Sequence, residues 1–318
     1  DQYHTTGSIR YRTASTAPEV SFFFETPIDF LGELTHVFTD FNYSGLYESF
    51  EIGYTSQIAQ GIDLFPYHDI SLSLQTSKLN SSQYVPEWQS WEFGQIQSLK
   101  ISHGYYWAKG ESSGDYIVDI ETSINGSDFN YNQITLTTLN DLTFILPLNI
   151  RTFSGWQSGS VPSQVSFRLN GASFFNTVQK NWFYSGVGIF PDDFTENSRI
   201  HSSGGGNIRS EYVITSPLKW MTAVNVQTDP SSFLENLSGY DKVMKKLKIQ
   251  PLVFVNWNYF KNINDETETI FEAGIGLTRP LTFIPPSLGE FVIRFDGAVP
   301  VWGEDAKKNW VFSLEKAF

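Results

Sequence analysis

Catalytic chemistry is the first thing to look for, and the residues that would carry it are sparse. The chain has five histidines, His4, His36, His68, His103 and His201, and no cysteine. A hydrolase needs a nucleophile, a base and an orienting group within hydrogen-bonding reach. Ser102 and His103 are neighbours in sequence, which in a strand sends their side chains to opposite faces. No G-x-S-x-G occurs, so the strand-turn-helix device for a nucleophilic serine is missing. Asn264-Asp265-Glu266 and Glu304-Asp305 offer oxygen ligands, but without the EF-hand spacing they read as solvated loops. No catalytic residue, resident metal or cofactor is expected.

Recognition by a water-facing wall is better represented. Arg151, Arg168, Arg209 and Arg294 fall on the polar parity of their segments. So do Glu51, Asp119, Glu121, Glu211, Asp296 and Glu315, with the amides of Asn149, Asn170, Asn225, Asn256 and Asn258 among them. Such residues either satisfy one another across neighbouring strands or line a polar channel. Trp182 and Tyr184 alternate with Phe183, Val187 and Ile189, so these two rings either face inward or, if the parity slips here, join the interfacial girdle. Aromatic rings beside polar donors suit sugars, whose apolar face stacks while the hydroxyls find partners.

These side chains need a scaffold, and period-two alternation supplies it. In Asn309–Phe318 one face carries Trp310, Phe312, Leu314 and Phe318, the other Asn309, Ser313 and Glu315. Val20, Phe22 and Phe24 repeat the pattern, as do Phe50, Ile52 and Tyr54; Ile70, Leu72 and Leu74; Leu99, Ile101, Tyr105 and Trp107; and Tyr116, Val118 and Ile120. A sheet that is oily on one side and polar on the other suits a barrel wall between lipid and water. The composition agrees: 318 residues, 40% hydrophobic and 16% aromatic, with a mean hydropathy of −0.23. No apolar run reaches the ~20 residues of a membrane-spanning helix. Aromatic loading of this kind fits interfacial girdles. The net charge of −13 excludes nucleic acid as a natural partner. Asp1 opens without the basic start or apolar run of a secretory signal, so a mature terminus is expected.

The reading is an all-β protein, a single antiparallel transmembrane β-barrel of about 14 strands, with 12–16 allowed by ambiguous turns. Residues 1–18 are a polar amino-terminal segment, either a frayed tail or a stretch folded into the lumen, and residues 19–318 are the barrel. Asn140-Asp141 is expected to turn, ahead of a run through Leu142, Phe144, Leu146, Leu148 and Ile150. Val165, Phe167 and Leu169 form another run. One parity holds from Asn207 to Gln227, which predicts a single long strand unless Ser216-Pro217 turns it. Residues 231–247 hold the one plausible helix, with Val243, Met244 and Leu247 at helical spacing.

Two resemblances follow from these stretches. Phe271–Trp302 (FEAGIGLTRPLTFIPPSLGEFVIRFDGAVPVW) looks like the penultimate hairpin of BamA-type insertion barrels, and Asn207–Leu218 (NIRSEYVITSPL), after three glycines, has a similar character. Those barrels carry an Arg-Gly-aromatic lumen motif, and no such tripeptide occurs here. The whole-chain profile is similar to monomeric diffusion porins for oligosaccharides, of the cyclodextrin porin CymA type. That likeness implies a bacterial outer-membrane monomer in contact with lipid and lipopolysaccharide, passing bulky, mostly neutral saccharide cargo by passive diffusion. The alternative is a BamA-like assembly or structural barrel without open-pore transport.

Overall fold

A computed structural model describes residues 4–12, 17–28, 34–43, 47–59, 66–79, 92–143, 147–162, 165–167, 169, 205–210, 218–234, 244, 246–280, 291–303, 306 and 308–316. It is an all-β chain. The strands are β1 (His4–Arg12), β2 (Ala17–Ile28), β3 (Leu34–Tyr43), β4 (Tyr47–Ala59), β5 (Tyr67–Leu79), β6 (Gln95–Lys109) and β7 (Ser112–Ser123). They continue as β8 (Tyr131–Thr143), β9 (Pro147–Gly159), β10 (Leu218–Thr228), β11 (Gln250–Asn262), β12 (Thr267–Pro280), β13 (Phe291–Trp302) and β14 (Asn309–Lys316). Each strand hydrogen-bonds to the next, giving a 14-stranded sheet in chain order from β1 to β14, the count expected from alternation. A single helical turn, α1 (Ser231–Leu234), lies between β10 and β11, and Met244, Lys246 and Leu247 are helical as well.

The chain divides into two compact units, the first built on β1–β7 and the second on β10–β14, with β8 and β9 shared between them. In the first unit the registers place like with like. Phe22 lies opposite Phe41, Phe41 opposite Phe50, Tyr54 opposite Leu72, and Ile101 between Leu72 and Ile120. Phe22, Phe41, Phe50, Ile52, Leu72, Leu74, Ile101 and Ile120 are exposed. In water so continuous an apolar surface marks an interaction face, and a strand face of this kind suits hydrocarbon. The opposite face carries Ser49, Ser73, Ser77 and Ser98, all buried, and half-exposed carboxylates. No helix among the described residues is long and apolar enough to cross a membrane, which says nothing of crossing by strands.

Four expectations are corrected. Strand pairing begins inside the stretch 1–18, since β1 pairs with β2 from His4 opposite Glu25 to Arg12 opposite Ala17. β8 runs on through Asn140 and Asp141, because the ladder overrides their turn preference. The Leu142–Ile150 run is split instead, with β9 starting at Pro147, where a residue lacking an N–H is tolerated. Val165 and Ser166 form a turn whose N–H groups both donate to the Pro162 carbonyl, so residues 165–167 and 169 are not strand. The long strand over 207–227 is also absent. Residues 205–210 are buried turn and coil, and β10 begins only at Leu218, with a register shift between Leu218 and Trp220. That shift puts Leu218 on the buried side, although its sequence parity groups it with outward Val224 and Val226.

Candidate functional site

The second unit owes its character to alternation in β11–β13. In β11, Phe254, Asn256, Asn258, Phe260 and Asn262 are buried while Val253 and Trp257 are exposed. In β12, Ile270 and Glu272 are buried opposite exposed Ile275 and Leu277. In β13, Arg294, Asp296 and Ala298 are buried while Phe295, Val299 and Val301 are exposed. Cross-strand registers bring Asn225 beside Asn256, Asn256 beside Glu272, and Gly276 beside Asp296. Amides and charges thus meet in one row, as residues on one pleated face must.

A strap of chain, Gly205-Gly206-Asn207-Ile208-Arg209-Ser210, lies on this face, and all six residues are buried. Its apolar part is anchored by Ile208. That side chain joins Phe153, Phe167, Leu169, Leu218, Met221, Ala223, Phe260 and Ile270 in one core, and its N–H donates to the Leu169 carbonyl at 2.8 Å. Phe153 and Phe167 meet edge-on with centroids 5.8 Å apart. Gly206 sits where a Cβ would come within 2.4 Å of the Asn258 Oδ1 and 2.8 Å of the Leu169 carbonyl oxygen, so only glycine fits.

The polar part of the strap is read out atom by atom. Arg151 Nη1 donates to the Gly205 carbonyl at 2.9 Å and to Asn225 Oδ1 at 2.8 Å. Asn225 Nδ2 donates to the Gly206 carbonyl at 3.2 Å and to Asn256 Oδ1 at 3.1 Å. Asn256 Nδ2 then donates to the Asn207 carbonyl at 3.4 Å and to Glu272 Oε1 at 2.5 Å. Glu272 receives two main-chain donors from the strap, the N–H of Arg209 at 2.8 Å and that of Ser210 at 2.6 Å. A carboxylate holding two main-chain amides and a side-chain amide is a charge-assisted clamp, about twice as strong per bond as a neutral one.

The Arg209 side chain completes the arrangement. Its Nη1 is 3.0 Å from Asp296 Oδ2, and its guanidinium lies over the Phe254 ring at 4.4 Å. Asp296 is also gripped by Arg294 Nε, at 3.0 Å and 2.7 Å to its two oxygens, while Arg294 Nη1 donates to Gln227 Oε1 at 3.0 Å. Gly274 and Gly276 of β12 make the space. A Cβ at Gly274 would strike the Phe254 ring at 2.2 Å, and one at Gly276 would strike Asp296 Oδ1 at 2.1 Å. Arg209 and Arg294 meet Asp296 with all three side chains buried, so opposite charges pair with water excluded. Breaking such a set by removing one member typically costs about 3–5 kcal/mol.

Of the residues expected to line a polar wall, Arg151, Asn256, Asn258, Arg294 and Asp296 come together on this face. Arg209 joins them from the strap rather than from a strand. Arg168, Trp182, Tyr184 and Glu211 lie outside the described residues. Sequence reading missed Glu272, Phe254 and the strap itself. Glu272 sits in a run where Phe271, Ala273, Ile275 and Leu277 alternate with Glu272, Gly274, Gly276 and Thr278. The glycines there mute a parity that would have marked it. The glycine run before Asn207 was the available sign that 205–210 does not continue a strand, because glycine weakens strands and permits close backbone approach.

No protein-family model matches the chain, and no curated protein does. Solved structures do match. One is BamA from Haemophilus ducreyi lacking POTRA domains 1–3, similar with a TM-score of 0.53 at 13% identity over 92% of this chain. The match covers 61% of that chain, so the protein spans less than two thirds of its structural neighbour's length. At this identity the likeness concerns the fold alone, a large antiparallel β-sheet. A specific likeness to oligosaccharide porins does not emerge from it.

Proposed function

We propose that the chain is an outer-membrane β-barrel of BamA-like design, acting as an assembly or structural barrel rather than as a steadily open diffusion porin. One observation carries this reading. The polar face of the second unit is occupied by the chain's own strap, through Glu272 to the amides of Arg209 and Ser210 and through Asp296 to the Arg209 guanidinium. A solute-conducting wall needs polar groups free to replace a passing solute's hydration. Here those groups are spent on the strap. The fold likeness and the exposed apolar strand faces support a place in the outer membrane, with lipid as the covering partner. Planar-bilayer recording tests the proposal. The folded protein is expected to be silent or to flicker briefly. A steady conductance blocked by added linear or cyclic sugars would replace this reading with the porin. Assembly itself is read from how fast an unfolded outer-membrane protein inserts into vesicles carrying the barrel, with empty vesicles as the reference.

The diffusion reading keeps one observation in its favour, and it comes from the first unit. There the polar face holds a stacked tyrosine pair, Tyr67 and Tyr106, with centroids 4.5 Å apart and both rings half-exposed. The register sets Asp115 beside Tyr106, and Asp69 follows one pleat along from Tyr67. Neutral or cationic sugars would suit such a face, and sugar block of a steady current is the result that would favour it.

A further inference from the structure

The apolar face of the first unit carries a feature that neither lipid contact nor transport requires. Near the start of β5 and the end of β6, His68, His103, Tyr105 and Tyr116 form a packed cluster of four rings. His68 and His103 stack with centroids 5.3 Å apart at 15°, and His68 Nδ1 lies 3.1 Å from His103 Nε2. Tyr105 packs on His68 at 4.9 Å, Tyr116 meets His103 at 5.7 Å, and the two tyrosines stack at 5.3 Å. All four rings are half-buried, so the cluster is held yet reachable.

We infer that His68 and His103 form a two-nitrogen site for a borderline divalent metal ion such as Cu²⁺, Ni²⁺ or Zn²⁺. Imidazole nitrogens bind these ions at about 2.0–2.1 Å. Two nitrogens on one ion are then about 2.9 Å apart at a right angle and about 3.3 Å apart at a tetrahedral one, from the same bond length. The observed 3.1 Å falls between the two. Turning both rings away from their head-on hydrogen bond would aim the two lone pairs at a shared ion. The tyrosine stack limits the rings' freedom, so little ordering is left for binding to cost.

The surroundings select the class of ion. Register neighbours of His68 are Ile58 and Tyr105, and those of His103 are Ile70 and Val118. The nearby carboxylates Asp69 and Asp115 alternate onto the opposite face. Calcium and magnesium, which demand several oxygen ligands, therefore find no cage among the described residues here. Nitrogen-preferring ions do, with open positions left for water or a headgroup phosphate oxygen. The titratable groups facing the pair among the described residues are Tyr105 and Tyr116. Binding needs neutral imidazoles, whose lone pairs are free for the ion.

Copper is the strongest binder of the series and serves as the probe. The full chain, folded in detergent, is titrated with Cu²⁺ alone and followed by electron paramagnetic resonance. The expected result is one copper per chain with splitting from two nitrogens, reversed by a chelator and displaced by excess Zn²⁺. His68→Gln and His103→Gln should each lose that signal. A protein with His4, His36 and His201 all changed to Gln should keep it. Heat-modifiable gel mobility reports folding independently, and if the pair variants fail to fold, the triple variant decides alone. Copper spectra that are the same with and without the pair, or a signal lost in the triple variant, would overturn the assignment.

Discussion

The polar faces of the two units handle charge in opposite ways. In the first unit, Glu25, Asp40, Glu51, Asp69, Asp115, Asp119 and Glu121 share a face with Lys100 and His36. These groups are half-exposed, and Lys100 meets Asp119 only at 3.8 Å. Asp40 even lies directly opposite Glu51, a like-charge pairing that is tolerable only where water screens it. In the second unit, arginines and carboxylates meet at 2.7–3.0 Å with almost no exposure. Each unit satisfies its charges, one with solvent and the other with its own chain. Similar alternation therefore yields two kinds of wall, and the strap makes the difference.

That contrast can be broken most forcefully at Glu272. Replacing it with alanine strands the Arg209 and Ser210 main-chain amides and the Asn256 side-chain amide in a buried site. It should destabilise the protein by about 3–5 kcal/mol. Glu121→Ala in the first unit removes a half-exposed carboxylate that accepts from the Tyr131 hydroxyl at 2.6 Å. It should cost about 1–2 kcal/mol. Urea unfolding in lipid vesicles measures both, and equal losses would mean that the two faces are built alike.

Arg209→Ala comes next, at about 2–3 kcal/mol, because Arg294 still compensates Asp296. It should also expose residues 205–210 to protease, a change that no first-unit substitution should reproduce. Gly276→Ala tests the close approach to Asp296 and is expected to cost about 1–3 kcal/mol through overpacking. Asn258→Leu sharpens the picture from the other side. Among the described residues both amide atoms of Asn258 are buried without a hydrogen-bond partner, so an apolar side chain of similar size should be neutral or stabilising by about 1 kcal/mol. Asn256→Leu, one pleat away in the same strand, should clearly destabilise.

The smallest effect belongs to the β11–β12 turn. Asp265 Oδ1 lies 2.9 Å from Lys261 Nζ and 3.2 Å from Lys219 Nζ, and these contacts hold its carboxyl below the usual carboxylate range. A depressed folded value means the contribution is present above the unfolded carboxylate range near pH 4 and is lost as pH falls through the folded value. The group is exposed, so salt should erase most of the effect. Asp265→Asn should flatten this part of the acid-unfolding curve while leaving the neutral-pH midpoint nearly unchanged.

Much of the molecule was legible in the chain, because a strand's two-residue period writes its environment directly into the residue order. Phe22, Ile52, Leu72, Ile101 and Ile120 are exposed as alternation required, and the sheet has the expected 14 strands. Asn256, Asn258, Arg294 and Asp296 were recognisable as polar-face residues for the same reason. Local pattern failed where the backbone leaves the sheet. Ile208 and Arg209 alternate as a strand would, yet they belong to the strap, since parity records which residues differ and not whether a ladder partner exists. Leu218 was misplaced by a single-residue register shift, which reverses its side relative to Val224 and Val226.

The order of residues by itself determined that this is an all-β chain with one oily and one polar face per strand. Solvent preference acts on each residue separately, and two-residue spacing is enough to express it. Only the tertiary structure decided that Glu272, Asp296 and Phe254 close around Arg209, and that His68 reaches His103. Such meetings depend on register between strands and on the path of the intervening chain, which no single segment encodes.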